Sequence, residues 1–468
     1  MNATTETLGR VLARHQGRAL PIRSTFALSE DPSPVFAIAP IKMVAEEIVQ
    51  AIAFGDPDGP PQVVTRWNPL SRDAGDLEIF AAALNDYVEA VARGDQLPRF
   101  WLPHRSALTV VELLGHRYRT NQMASDSLRR MGWQCRAIAE EATYGGQQAV
   151  AIAGEILRAH VLTGQAPIKD GHLGALLAWV APVAGRDPAE VADEQALVPA
   201  SGVLERSIDD RVEGLRREAK RGRGPVAARA RAEIETRLTQ GALNEWELLL
   251  EARRAFWSLG LPEGPGLGPL VAESKRRSLY RLQQDLNPPS RPHSLARLVD
   301  DHEYAADLAE DADVRGDLHV RELARRKGRA LLAEVVRVEQ PRSSRRPCYV
   351  TLRTTQEVLR VRQGTALRDI GGRVEGRVED VWEARGATLL RLELTRGVQR
   401  SRVPVVGDVT DWVDTAPHDL RRRRREVHDA MQAAASPLVY DQGVVGVGTS
   451  GSPSVDLLAV AERLRRGA

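Results

Sequence analysis

The sequence predicts a multidomain α+β protein, with a predominantly α-helical N-terminal two-thirds followed by a small β-barrel and a terminal helix-strand-helix. Three observations lead there. The chain has 468 residues, well past the ~250–300 at which a single hydrophobic core stops growing. From about residue 75 to 333 the apolar residues recur at three- and four-residue spacing, the period of a helix face. At about 331 that period gives way to alternation in short, β-branched-rich segments.

Taken in order, residues 1–74 read as a mixed segment. It holds one helix near "IKMVAEEIVQAIAFG" and a structure-breaking loop, "GDPDGPP". A helical domain over 75–285 follows, in which "DLEIFAAALNDYVEAVARG", "QAVAIAGEILRAHVL" and "HLGALLAWVAPVAG" each meet a glycine stop at or soon after their ends. "REAKRGRGPVAARARAE" and "GLPEGPGLGP" punctuate it, and Pro288 and Pro289 stop it, because proline cannot continue a helix. Residues 286–333 then read as a helical stalk. Between 334 and 415, "PCYVTLR", "EVLRVRQ", "GRVEGRVEDVWEARG", "ATLLRLELT" and "RVPVVGDVTDWVD" predict five or six strands, enough for a small barrel of the oligonucleotide-binding (OB) or SH3-like kind. An Arg-rich helix and tail occupy 416–468.

Composition narrows the classes of function. With 43% hydrophobic and 27% charged residues the chain can fill cores and is not of the disordered type. It has no run of ~18 apolar residues and no apolar N-terminal leader, so no membrane association and a cytoplasmic location are expected. Cys135 and Cys348 are the only cysteines, too few for a Cys-only zinc site or a disulfide framework; they read as buried thiols. Lysine occurs only at 42, 169, 220, 275 and 327, an arginine bias that high-GC coding in a bacterium explains. Charge is distributed unevenly. Residues 1–200 hold 18 Lys or Arg against 23 Asp or Glu, whereas residues 320–430 hold 25 against 16, so an anionic partner is drawn to the C-terminal third.

Within that third, Arg342, Arg345 and Arg346 lie in a turn, while Arg353, Arg360 and Arg362 alternate with apolar residues along strands. Arg421, Arg422, Arg423, Arg424 and Arg425 form an unbroken run. On a helix five consecutive arginines cover every face, so some must stay solvated or meet anions. Such residues neutralise phosphates without reading sequence, and these eleven are the candidate nucleic-acid-binding residues. The aromatic candidates for stacking, Tyr349, Trp382 and Trp412, read as core.

Other chemistries find little support. "DDHEYAADLAED" is richest in metal-ligand types and could form a metal cluster, but reads rather as a solvated acidic helix face, with packing against the arginine-rich stretches as an option. There is no H-E-x-x-H, no Cys/His zinc spacing and no G-x-S-x-G nucleophile elbow. Cys135 has no identifiable base. His104, Arg105, His116, Arg117, Tyr118 and Arg119 could contact phosphate, and two helix ends lying together explain them as well. Gly446, Gly448 and Gly451 have G-x-G-x-x-G spacing, but no lysine anywhere follows a glycine, which excludes a Walker phosphate loop. A Rossmann unit would need a second strand. The glycines read as a turn into "SPSVDLLAVAERLRR". No catalytic residue, metal ligand or cofactor is expected.

The order of parts over about 294–451, a helical stalk, a small barrel, then a helix and an apolar strand ending in a glycine loop ("MQAAASPLVYDQGVVGVGTSG"), resembles the stalk and accessory β-barrel of superfamily 1 helicases. The departure lies at Gly451-Ser452-Pro453-Ser454, which stands where those enzymes have Gly-Lys-Thr or Gly-Lys-Ser. The resemblance therefore implies an accessory that contacts nucleic acid or docks on a separate motor or nuclease. It does not imply an ATPase. The expected function is thus a non-catalytic nucleic-acid-associated accessory protein. The alternatives are a scaffold docking an acidic partner, or an enzyme with an unrecognised site in the helical region.

Overall fold

A computed structural model describes residues 3–22, 28–43, 48–71, 74–198, 202–283, 292–340, 347–399 and 402–414. It divides into two compact units, Met1–Pro288 and Pro289–Ala468.

In the first unit, α1 (Ala3–Gln16) and β1 (Leu20–Pro21) precede three strands, β2 (Val35–Lys42), β3 (Val49–Gly55) and β4 (Gln62–Thr65). These form an antiparallel meander. After α2 (Glu78–Arg93) comes β5 (Arg99–Leu102), which pairs parallel to β2. The helices α3 (Arg105–Tyr118) and α4 (Asp126–Glu141) lead to β6 (Val150–Ile152), parallel to β5. The sheet order is β4-β3-β2-β5-β6. Then follow α5 (Ala153–His160), β7 (Val161–Leu162, paired with β1), α6 (Leu173–Val180), α7 (Pro188–Ala196), α8 (Arg206–Arg221), α9 (Pro225–Ser258) and α10 (Leu267–Leu282).

Both faces of this sheet are covered, and β2 and β3 alternate large with small rather than apolar with polar. Phe36, Ile38, Ile52, Phe54, Phe100 and Ile152 face the layer of α2, α3 and α4. Ala37, Ala39, Ala51, Ala53 and Ala151 face the layer of α5, α6, α8 and α9. Each fully buried large side chain contributes about 1.5–3 kcal/mol. The alanine face lets α9 pack close to the sheet. That helix starts cleanly because Pro225 occupies its first turn, where a missing N–H costs nothing.

The helix expected near "IKMVAEEIVQAIAFG" is overturned: its described residues are the end of β2 and all of β3. With both faces buried, no polar alternation marks the strands, and a continuous apolar run also fits a helix. The N-terminal two-thirds is therefore built around a sheet. Inside the region read as all helical, β5 and β6 have only four and three residues, too short to imprint a period.

The second unit holds α11 (Pro292–Gly316), α12 (Leu318–Arg326) and six strands: β8 (Ala330–Glu339), β9 (Cys348–Thr354), β10 (Ala366–Asp369), β11 (Glu375–Ala384), β12 (Ala387–Arg396) and β13 (Val409–Val413). Every pairing is antiparallel, and the strands close a barrel in the order β10-β11-β12-β9-β8-β13. Val335, Val350, Leu352, Val378, Leu390, Leu392 and Trp412 fill it. Asp317 starts α12 by accepting hydrogen bonds from the His319 and Val320 amides. The helix is then fastened to β13 by a two-pronged ion pair, Arg325 Nε and Nη2 to the Asp411 carboxylate at 2.8 and 2.7 Å. In the acidic stretch of α11, Asp311 is buried and lies 2.6 Å from Arg315 and 3.5 Å from Arg368. Packing against arginine accounts for that carboxylate.

Candidate nucleic-acid interface

Outward-facing residues of the barrel line up across four strands. In one row Trp382 on β11 sits opposite Leu389 on β12, Leu389 opposite Arg353 on β9, and Arg353 opposite Glu334 on β8. In the next row Asp380, Arg391, Thr351 and Arg337 follow one another across the same strands. A third carries Arg377, Glu393, Tyr349 and Glu339. Cations and carboxylates thus interleave. Arg353 pairs with Glu334, Arg391 lies 3.2 Å from Glu339 and 3.3 Å from Glu379, and Arg337 lies 3.1 Å from Glu339. Exposed pairs of this kind are worth about 0–1 kcal/mol each, weak enough for a phosphate to displace the carboxylate.

Of the candidate arginines, Arg353 is exposed on this face but paired. The strand expected over "EVLRVRQ" does not form: Arg360 and Arg362 flank the buried Val361 in the irregular segment between β9 and β10; both are exposed, and neither makes an ion pair among the described residues. Their position depends on Gly328, whose carbonyl accepts the Arg360 amide at 3.0 Å. Gly328 has φ +73, and a Cβ there would come 2.8 Å from the Arg360 nitrogen, so a side chain is barred on two counts. This contact sets Lys327 beside Arg360. Lys327 is likewise exposed and without an ion pair among the described residues. It was missed in the sequence because one lysine after two paired arginines has no pattern. Arg342, Arg345 and Arg346, the run Arg421 to Arg425 and the terminal glycines lie outside the described residues.

The aromatic residues divide. Trp412 is core, as expected. Trp382 is not: it is 38% exposed, because a bulge between Val378 and Asp380 shifts the register of β11. Tyr349 is also on the outer face, with the Arg391 guanidinium 4.1 Å from its ring centre, within cation–π range.

Elsewhere the expected groupings come apart. His104 and His116 mark opposite ends of α3, a helix of 14 residues and so about 20 Å long; the two ends do not lie together. His104 caps α3, accepting from the Ala107 amide at Nδ1, and its Nε2 lies 3.3 Å from Glu245. His116 lies beside Glu112 and Arg136. Both cysteines are buried, and burial pushes the Cys135 thiol up to about 12, so it is no nucleophile at neutral pH. Among the described residues no group of His, Cys, Asp or Glu is placed to hold a metal, and no helix is long and apolar enough to cross a membrane.

Comparison with known protein families, with curated proteins and with solved structures gives no match.

Proposed function

We propose that the protein is a non-catalytic, nucleic-acid-associated accessory protein that holds a phosphate backbone against its barrel, alongside a separate helicase or nuclease. The observation that carries this reading is the row of Trp382, Leu389 and Arg353, together with the exposed cations Lys327, Arg360 and Arg362, which make no ion pair among the described residues. An exposed π-face beside a basic track is the combination by which single strands are bound without sequence preference: bases stack, and cations follow the backbone. A barrel of the OB or SH3-like kind offers its strand face for that purpose. In sequence, Arg342, Arg345, Arg346 and Arg421 to Arg425 supply further phosphate contacts of the same type.

Electrophoretic mobility shift of single- and double-stranded DNA and RNA, from about 50 to 200 mM salt, tests the reading. It predicts a shift at low salt that fades as salt rises, favours single strands and weakens when Arg360, Arg362 and Arg421 to Arg425 are replaced by serine. Absence of a shift at low salt, or a shift indifferent to those substitutions, would overturn it.

A further inference from the structure

A cavity of about 670 Å³ opens in the first unit where β2 and β5 begin, the end of the sheet opposite the carboxyl ends of its parallel strands. At its base is Arg99, the first residue of β5, 3% exposed. Its Nη2 donates to the Ser29 hydroxyl at 2.5 Å, but its Nε is buried without any hydrogen-bond partner. The guanidinium makes no ion pair with a described carboxylate. A buried cation in that state is costly unless something supplies the counter-charge, and the cavity is where that something can enter. The backbone around it is fixed. The Tyr87 hydroxyl accepts the Arg99 amide at 2.7 Å and lies 2.9 Å from the Pro34 carbonyl.

Two further features define what would fit. The indole of Trp101 is buried beside that of Trp257, with ring centres 6.4 Å apart and planes at 52°, and both line the cavity. Carboxylates also line it. Asp31, and Glu263 outside the lining, act on Arg99 electrostatically without an ion pair to it; Asp31 accepts the Ser33 amide, and Asp56, exposed where β3 ends, accepts the Asp58 amide and forms no ion pair with a described cation. Glu30 lines the cavity too, and Arg253 pairs with Asp58 at 3.0 Å while its Nε has no hydrogen-bond partner among the described residues. An unpaired cation at the base, apolar aromatic walls and unpaired carboxylates above are the complement of a small molecule carrying both charges and an apolar body.

We propose that this cavity binds a zwitterionic ligand of the amino-acid class, with its carboxylate on Arg99, its ammonium toward Asp31 and Asp56, and an aromatic or large apolar side chain against Trp101 and Trp257. A carboxylate accepts two guanidinium hydrogen bonds side by side, so it satisfies Arg99 better than any neutral group. Neither charge alone completes the site.

Calorimetric titration of the full chain with L-phenylalanine, phenylalaninamide, 3-phenylpropionate and inorganic phosphate tests this directly. The amino acid should bind and raise the melting temperature in a concentration-dependent way. The amide and the propionate should each bind about tenfold more weakly or worse, since each leaves one charge of the site unmet. Arg99→Gln should lose binding; because that buried change can also prevent folding, Asp31→Asn and Asp56→Asn, at less buried positions, serve as the second arm and should weaken the amino acid while binding the propionate as tightly as the wild type or more so. Failure of the amino acid to bind at millimolar concentration would overturn the proposal. So would equal binding of the amide, or binding of phosphate or propionate as tight as that of the amino acid.

Discussion

Arg277 of α10 grips Glu141 of α4 with both prongs of its guanidinium, Nε to Oε2 at 2.9 Å and Nη2 to Oε1 at 2.6 Å, and the side chains are 0% and 3% exposed. The Tyr144 ring lies 4.3 Å from the same guanidinium. Glu141→Gln keeps the shape but removes the two-pronged partner, leaving Glu273, 3.6 Å away on the same helix as Arg277, to face the buried cation. The loss expected from breaking a buried pair is about 3–5 kcal/mol, read as a lowered midpoint in urea unfolding. Replacing Arg277 and Glu141 together with apolar residues should cost less than this single change, because Glu273 keeps its ion pair with Arg276 at 3.0 Å.

A second expectation concerns the hairpin between β11 and β12. Its two-residue turn, Arg385-Gly386, has φ of +53 and +74, the type I′ geometry in which asparagine or glycine is favoured at the first position. Arg385 therefore sits in a conformation that a long side chain rarely adopts. Arg385→Asn should stabilise the second unit, and Gly386→Ala should destabilise it by about 1 kcal/mol or more. Thermal melts of the two variants check the sign of each.

Three groups tie stability to pH. Burial lowers the pKa of His160 below its usual 6.5; the ring bonds the Ile156 carbonyl at 2.7 Å, and its Nε2 has no partner. The unfolded chain takes up this proton more readily than the folded one, so stability is present above pH 6.5 and falls as the pH drops below it. His160→Phe, which can keep the edge contact with Phe256, should flatten that acid limb in urea midpoints measured from pH 7 to 5.

At the alkaline end the sign reverses. The Cys135 thiol is held protonated, its pKa raised from 9.0 to about 12 by burial, so the folded state keeps a proton that the unfolded state gives up. Stability is complete below pH 9 and declines toward pH 12. Tyr87, also raised by burial, acts in the same direction. Cys135→Ala should therefore remove only part of the decline. Native Cys135 should also resist a thiol reagent that labels it at once in denaturant.

How far the sequence discloses this molecule depends on what each element faces. The barrel was legible because its strands have one wet face: Val350 and Leu352 point in while Tyr349 and Arg353 point out, and period two survives. The sheet of the first unit was not, because Phe36 and Ala37 are buried on opposite sides and the polar marker vanishes. Among the candidate arginines, the exposure of Arg353 could be anticipated from alternation along β9, whereas Arg360 and Arg362 are exposed in a segment that forms no strand. The pairing of Arg353 could not, since Glu334 meets it only through the register of two strands 19 positions apart. The Arg99 cavity left no trace in the sequence either: Tyr87, Arg99 and Trp257 come from three separate elements and share no spacing.

The central claim is that cations on and beside the barrel meet a phosphate backbone. Its most direct test is the salt dependence of single-strand affinity, measured by fluorescence anisotropy for the wild type and for the triple variant Lys327→Ser, Arg360→Ser, Arg362→Ser. The account predicts that loss of three phosphate contacts lowers the magnitude of the log–log slope by about 2, while Trp382→Ala weakens binding by about 1–3 kcal/mol and leaves the slope alone. Slopes and affinities identical to the wild type, or no binding by the wild type at about 50 mM salt, would contradict it.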